Sequence, residues 1–393
     1  MKINKNMITN LFCFLYFLLG TFILLYQSVN LPDIIGGTLN KMVNIFVVLG
    51  LLICYVFILC TIKSGINFVS ILGGAILISL SIIPVKYQVG LGIILFTSFV
   101  FIVVAGNIEF DKILKTFICF SSIILIATIL LNKLGKIHDG VVVDLLSYRV
   151  RKSLGFKYYS YPAHIIFYLI CAVIVYRKDK ISYIELIVLQ LLNTWIYYQT
   201  NTRASFILAT LFVVYALVKK IFRWKNGLIK FKPMKILYSF SFVINFLLIW
   251  IFSFDLSPSL FNVLNKLFSG RLSLNVTNFS RYGIALFGRK ITFNTSDVNF
   301  YNYVDSAYLQ TLLIDGLIFF VVIMFMLTFA TYKSAENNDD NLSMALLLIS
   351  IFAMFDPQLI WPWYSPFCLL MGSCIKLERK SSLYNLKTKM YKS

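Results

Sequence analysis

In a chain this apolar, a charged group beside a membrane-length run is the first place to look for chemistry, and the arginines stand out. Arg203 lies in the stretch QTNTRASF (199–206), between the long oily runs ISYIELIVLQLLNTWIYY and ILATLFVVYALV. A guanidinium at such a place pairs with an acid or with an anionic ligand, because its planar fork of donors matches carboxylate and phosphate oxygens. Arg271, Arg281, Arg289 and Lys290 fall in SGRLSLNVTNFSRYGIALFGRK (269–290), and Asp305, Tyr308 and Asp315 fall in YVDSAYLQTLLIDGLIFF (303–320). At helical spacing, Asp305, Tyr308, Leu312 and Asp315 share an arc of about 80°. That face is expected to carry polar groups into the bilayer, a lip suited to a ligand with a wet head and a tail in lipid.

Other site chemistries have little to build on. The seven cysteines lie within or at the ends of apolar runs without a C-x-x-C pair and read as small packing residues. Only two histidines are present, His138 and His164, so no zinc cluster is expected. Asp139, Asp144, Asp255, Asp297 and Asp305 never form a D-x-D or an adjacent pair, and no phosphate-cradling G-x-x-x-x-G-K-[ST] loop is present. No cofactor, no metal and no nucleic-acid partner are expected.

The elements that must position these residues are membrane helices. Of the 393 residues, 59% are hydrophobic and 13% charged, against roughly 25% charged in a soluble domain. A bilayer core about 30 Å thick takes roughly 20 helical residues to cross. The pattern predicts an all-α polytopic membrane domain over 1–393 with about 12 transmembrane helices. The spans are expected near 10–29, 42–62, 66–84, 89–106, 113–131, 161–176, 182–199, 204–218, 236–254, 307–331, 342–360 and 361–376. In the last pair, three prolines in FDPQLIWPWYSPF either kink one helix or make a re-entrant segment. No small-residue cleavage site follows the first span, so that span is expected to be retained.

Lysine and arginine placement predicts both termini in the cytoplasm. Lys2 and Lys5, Lys63, Lys115, YRKDK, KKIFRWKNGLIKFKPMK, Lys333 and the basic tail 377–393 then lie inside, the larger share of the 36 basic residues. Most of the remainder crowd three outer places: the basic loop 132–160, the large loop 255–306 between the ninth and tenth helices, and Arg203. Lysines in long loops translocate at little cost and need no ligand. The arginines at span ends do call for an anionic partner at the outer surface.

The order of the three stretches resembles the Wzy-type polysaccharide polymerases, relatives of the O-antigen ligases. NTRASF is similar to their S/N-R-G/A motif after a short outer turn, GRLSLNVTNFSRYGIALFG to the arginine-to-LFG stretch of their large outer loop, and DSAYLQTLLIDG to the segment that opens the next helix. The specific likeness covers the C-terminal half. It departs from the ligases, which usually carry histidine where Asp305 stands.

That resemblance implies a GT-C-like architecture and a reaction at the outer face of a bacterial plasma membrane. A glycan on a polyprenyl pyrophosphate would be passed onto the next lipid-linked repeat unit, without a metal. The implied roles are Arg203 and Arg271 as the leading pyrophosphate ligands, followed by Arg281 and, more weakly, Arg289 and Lys290. Asp305 would activate or orient the acceptor hydroxyl, or merely cap its helix. Tyr308 would stack on sugar or belong to the interfacial aromatic belt, and Asp315 would pair deeper in the site. Expected partners are the polyprenyl-pyrophosphate-linked oligosaccharide, membrane lipid, and a chain-length regulator and flippase of the same pathway. A ligase, or a flippase or other transporter, is the alternative.

Overall fold

The structure, a computed structural model, describes residues 5–30, 37–62, 66–87, 92–144, 149–224, 226–294 and 301–377. Most of the basic tail, the centre of the large loop with Asp297, and Lys63 lie outside the described residues. In chain order the helices are α1 (Lys5–Ser28), α2 (Gly37–Thr61), α3 (Phe68–Tyr87), α4 (Gly92–Ala105), α5 (Phe110–Lys133), α6 (Ser160–Arg177), α7 (Tyr183–Thr200) and α8 (Arg203–Ile221). They continue as α9 (Lys232–Ser239), α10 (Ser241–Phe254), α11 (Pro258–Leu267), α12 (Arg271–Tyr282), α13 (Ala307–Ile314), α14 (Leu317–Glu336) and α15 (Asp340–Phe352). A two-stranded antiparallel ribbon, β1 (Val141–Asp144) with β2 (Arg149–Lys152), stands between α5 and α6.

Local chemistry sets several of these boundaries. Ser182 and Glu185 form a reciprocal capping box at the start of α7, and Asn201 ends it at φ 50°, a left-handed position that asparagine tolerates better than most residues. The chain turns at once into α8, whose first residue is Arg203. Asp339 caps α15 by accepting from the Leu342 amide at 3.2 Å.

Among the described residues, six helices are long and apolar enough to cross a membrane, or seven if the bent pair α9 and α10 counts as one span. This makes the chain a multi-pass helical membrane protein. The longer run expected at 236–254 is bent by 72° between Ser239 and Ser241. The run at 307–331 is two helices, α13 and α14, broken at Asp315 and Gly316. The run at 342–360 leaves α-helix after Phe352; a four-residue 3-10 turn at Pro357–Ile360 and a ten-residue 3-10 stretch at Pro366–Ile375 follow, each opened by a proline, whose missing amide costs nothing at a first position.

This Pro-rich segment runs through the bundle rather than along its surface. Buried Tyr16 of α1 packs against Phe12, Phe101 and Phe120 and donates its hydroxyl to the Pro362 carbonyl at 2.6 Å. Trp363 donates to Gln27 at 3.0 Å, and Ser28 and Tyr364 share a hydrogen bond. Irregular backbone at this depth is tolerated because the neighbouring helices supply its partners.

The two ends of the bundle differ in their contacts. At one, Lys133 lies 5.3 Å over the Trp195 ring and the Asn30 amide donates to the Gly155 carbonyl at 3.0 Å. At the other, Arg177 pairs with Glu185 at 2.9 Å and Lys219 with Asp340 at 3.0 Å. The first set of contacts joins parts of segments expected on one side of the membrane, and the second joins parts of segments expected on the other.

Candidate functional site

At the first end, Gly270 turns the chain at φ 82° into α12, which begins with Arg271. The Arg271 Nε donates to Asp305 Oδ2 at 2.7 Å, joining residues 34 apart in sequence. The side chains are 38% and 21% exposed, so the pair is partly open to a ligand. Among the described residues, the two terminal nitrogens of Arg271 and the Oδ1 of Asp305 make no hydrogen bond. Burial alone would lower the Arg271 guanidinium, but the charge of and hydrogen bond to Asp305 override it, so the group ends up raised.

Asp305 does not cap α13. Ser306 does, accepting from the Leu309 amide, which leaves the carboxylate to Arg271. Residues 301–306 alternate between half-buried and buried: Tyr301, Tyr303 and Asp305 share the more open side, and Asn302, Val304 and Ser306 face inward. This is the period of two of an extended segment, and it aligns two phenols with the acid. Burial and then the Asp305 charge push the Tyr301 phenol up to about 12. The Tyr158 phenol rises for the same two reasons, with Tyr159 contributing between them. These phenols remain hydrogen-bond donors at neutral pH.

The helical arc expected from Asp305 to Asp315 does not exist as a polar lip, because α13 is only eight residues long and starts after Asp305. Tyr308 is buried at 1% exposure, donates to the Ser350 carbonyl at 2.7 Å and packs beside Phe242 and Phe246. It neither faces sugar nor joins an interfacial belt. Asp315 is buried at the end of α13.

Arg289 holds backbone together: its guanidinium donates to the Tyr282 carbonyl and its amide to the Ile314 carbonyl at 2.9 Å. The Leu317 and Ile318 amides donate to the carbonyls of Ala285 and Leu286, so the LFG stretch is laced onto the break between α13 and α14. Gly288 (φ 83°) and Gly316 (φ 94°) meet there, and a Cβ on Gly288 would lie 2.2 Å from the Ile314 oxygen. Gly288→Ala should lower the melting temperature of the purified protein by several degrees, because it combines a left-handed alanine with a backbone clash. Gly270→Ala, also at positive φ but with nothing within 4 Å of its Cβ, should cost clearly less. Equal melting temperatures for the two variants would dismiss the lacing.

Arg203 is exposed and makes no hydrogen bond or ion pair among the described residues. It does not meet Arg271 or Asp305 there. Arg281 in the last turn of α12 and Lys290 are likewise exposed.

Sequence reasoning missed a second acid. Asp356 lies on the Pro-rich segment with a fully buried side chain; its Oδ2 accepts from Tyr168 at 3.4 Å, and its Oδ1 is 3.1 Å from His164 Nδ1. That nitrogen has hydrogen-bond geometry toward Gln358 Oε1, at 3.2 Å, which leaves Asp356 Oδ1 without a hydrogen bond. The two acids, Asp305 and Asp356, belong to neighbouring segments of the same region, since the Ala307 amide donates to the Ala353 carbonyl at 2.9 Å. The signal was present: an acid among prolines in an otherwise apolar run, and a histidine inside a span. It went unused because the two are 192 residues apart in sequence. Among the described residues, no three His, Cys, Asp or Glu side chains gather as a metal set.

Comparison with protein-family models, with curated proteins and with solved structures finds no match to this chain.

Proposed function

We propose that this multi-pass protein polymerises polyprenyl-pyrophosphate-linked oligosaccharide repeat units at the outer face of a bacterial plasma membrane. The observation that carries this reading is the Arg271–Asp305 pair, which joins the arginine of the loop motif to the acid of the helix-opening motif at 2.7 Å. Arg271 spends only Nε on the acid, so its two terminal nitrogens are available for phosphate oxygens. A guanidinium held in this way is oriented before the ligand arrives, which favours electrostatic stabilisation of a leaving group.

In the reaction the acceptor hydroxyl forms a bond to the anomeric carbon of the donor glycan. The bond from that carbon to the pyrophosphate oxygen breaks, and the carrier leaves with the electron pair. Arg271 takes up the growing negative charge. The proton lost by the hydroxyl passes to Asp305 through its unengaged Oδ1. Arg203 contributes as a separate, exposed cation that meets the carrier pyrophosphate where lipid and water meet. Arg203→Lys keeps the charge without the fork, and polymer yield should fall at least tenfold at unchanged protein level. Normal-length polymer from both Arg203→Lys and Arg203→Ala would remove Arg203 from the site.

A flippase is the second reading, favoured by the broken helices and by buried Asp356, features that transporters place near the bilayer midplane. Deleting the gene and sizing the surface glycans separates the readings. Single repeat units on the cell surface without a ladder support the polymerase. Single units trapped inside support the flippase, and complete ladders left on the carrier lipid point to a ligase.

A further inference from the structure

Several tyrosines interact electrostatically with the Arg271–Asp305 pair: Tyr158, Tyr159 and Tyr301. Tyr158 and Tyr159, at the entrance to α6, pack with ring centroids 4.3 Å apart, and their hydroxyls are 3.1 Å apart. The Arg151 guanidinium covers the Tyr159 ring at 4.6 Å and donates to its hydroxyl. Tyr158 itself is 45% exposed, and Tyr161 continues the row inward at 6.2 Å. The extended segment carries Tyr301 and Tyr303 on the same side as Asp305, and both Tyr301 and Asp305 act electrostatically on Tyr158.

We propose that these tyrosines form a saccharide subsite that holds a pyranose ring of the repeat unit beside the reacting bond. A pyranose is amphipathic in a particular way: its C–H faces stack on aromatic rings, and its rim of hydroxyls takes hydrogen bonds from phenols and carboxylates. The subsite offers both, with an open ring face at Tyr158 and donors and acceptors around it. A lipid tail would gain nothing from phenols next to an ion pair, whose polar groups it would leave unpaired. The location fits as well, because Tyr301 and Tyr303 share the side of their segment with Asp305, the partner of Arg271, and Tyr158 and Tyr159 act electrostatically on Arg271. This inference rests on the polymerase reading for the identity of the sugar.

The test uses the purified full chain in lipid nanodiscs and a repeat-unit oligosaccharide prepared by partial hydrolysis of the host cell's own surface glycan. Saturation-transfer NMR should show transfer from the protein to sugar ring protons. The double variant Tyr158→Leu/Tyr301→Leu should lose that transfer while its melting temperature stays unchanged. Tyr158→Phe/Tyr301→Phe keeps both rings and should retain it. The subsite is overturned if wild-type protein shows no transfer, if the leucine pair retains it, or if the phenylalanine pair loses it as completely as the leucine pair. Failure of the polymerase reading would appear separately, in the glycan sizes of the deletion strain.

Discussion

Arg271→Ala is expected to abolish long polymer, lowering the rate of chain extension by about 10²- to 10³-fold, the range found when one preorganised donor to a developing anion is removed. The protein should still fold. The Arg271–Asp305 pair is partly exposed, and pairs of that kind contribute about 1 kcal/mol or less. The competing explanation is a strut that merely holds α12 against residue 305. The exchange Arg271→Asp/Asp305→Arg separates the two, because it rebuilds an ion pair across the same gap with the polarity reversed. A strut would work in either polarity, and polymer would return. A catalytic pair would not, since the phosphate would then meet the carboxylate and the acceptor hydroxyl the guanidinium. The measurement is the size distribution of lipid-linked and surface glycan at matched protein levels. A normal ladder from the exchanged pair would remove Arg271 and Asp305 from the chemistry.

Asp340→Ala is expected to be the most destabilising single change at the other end of the bundle. Asp340 accepts from Lys219 at 3.0 Å, from the Tyr215 hydroxyl at 2.7 Å and from the Ile229 amide at 3.1 Å. Lys219 also donates to Asn341 at 2.7 Å. Three segments, α8, the turn at Gly227–Lys230 and α15, are therefore fastened at one buried carboxylate. Removing it leaves a buried ammonium with Asn341 alone and takes the acceptor from a phenol and an amide, and breaking a buried pair in this way costs about 3–5 kcal/mol. Thermal unfolding in detergent should fall by several degrees. Lys219→Met/Asp340→Leu removes both charges and should recover part of the loss, because well-packed apolar residues avoid the desolvation cost. If Asp340→Ala melts with the wild type, the network carries no weight. The consequence reaches the site, since α8 begins at Arg203 and ends beside Lys219 and Lys220.

Much of the candidate site was legible one residue at a time. Arg271 and Asp305 stood out because charge is costly near an apolar span and because each sits in a motif whose order resembles a known family. Their pairing was not legible: a turn at Gly270, an extended segment at 301–306 and the path between them decide it. Tyr308 was misread and the arc from Asp305 failed because a helical wheel presumes an unbroken helix, whereas α13 begins only at Ala307. Gly316, at φ 94° against the LFG backbone, breaks the longer helix expected over 307–331. The aromatic belt was expected from the composition alone, whereas the row at Tyr158, Tyr159 and Tyr301 depends on the 132–160 and 255–306 segments converging.

By itself, then, the sequence determined the solvent in which this protein works, the helical form its apolar runs must take and the few residues with charge to spare. Those follow from transfer energies and backbone hydrogen bonding, which act on a residue and its near neighbours. Tertiary structure alone decided which charges meet and where the long runs break. It also buried Asp356 beside His164 and left Arg203 open. Such outcomes depend on contacts between residues tens to hundreds of positions apart, and no local pattern encodes the geometry that brings them together.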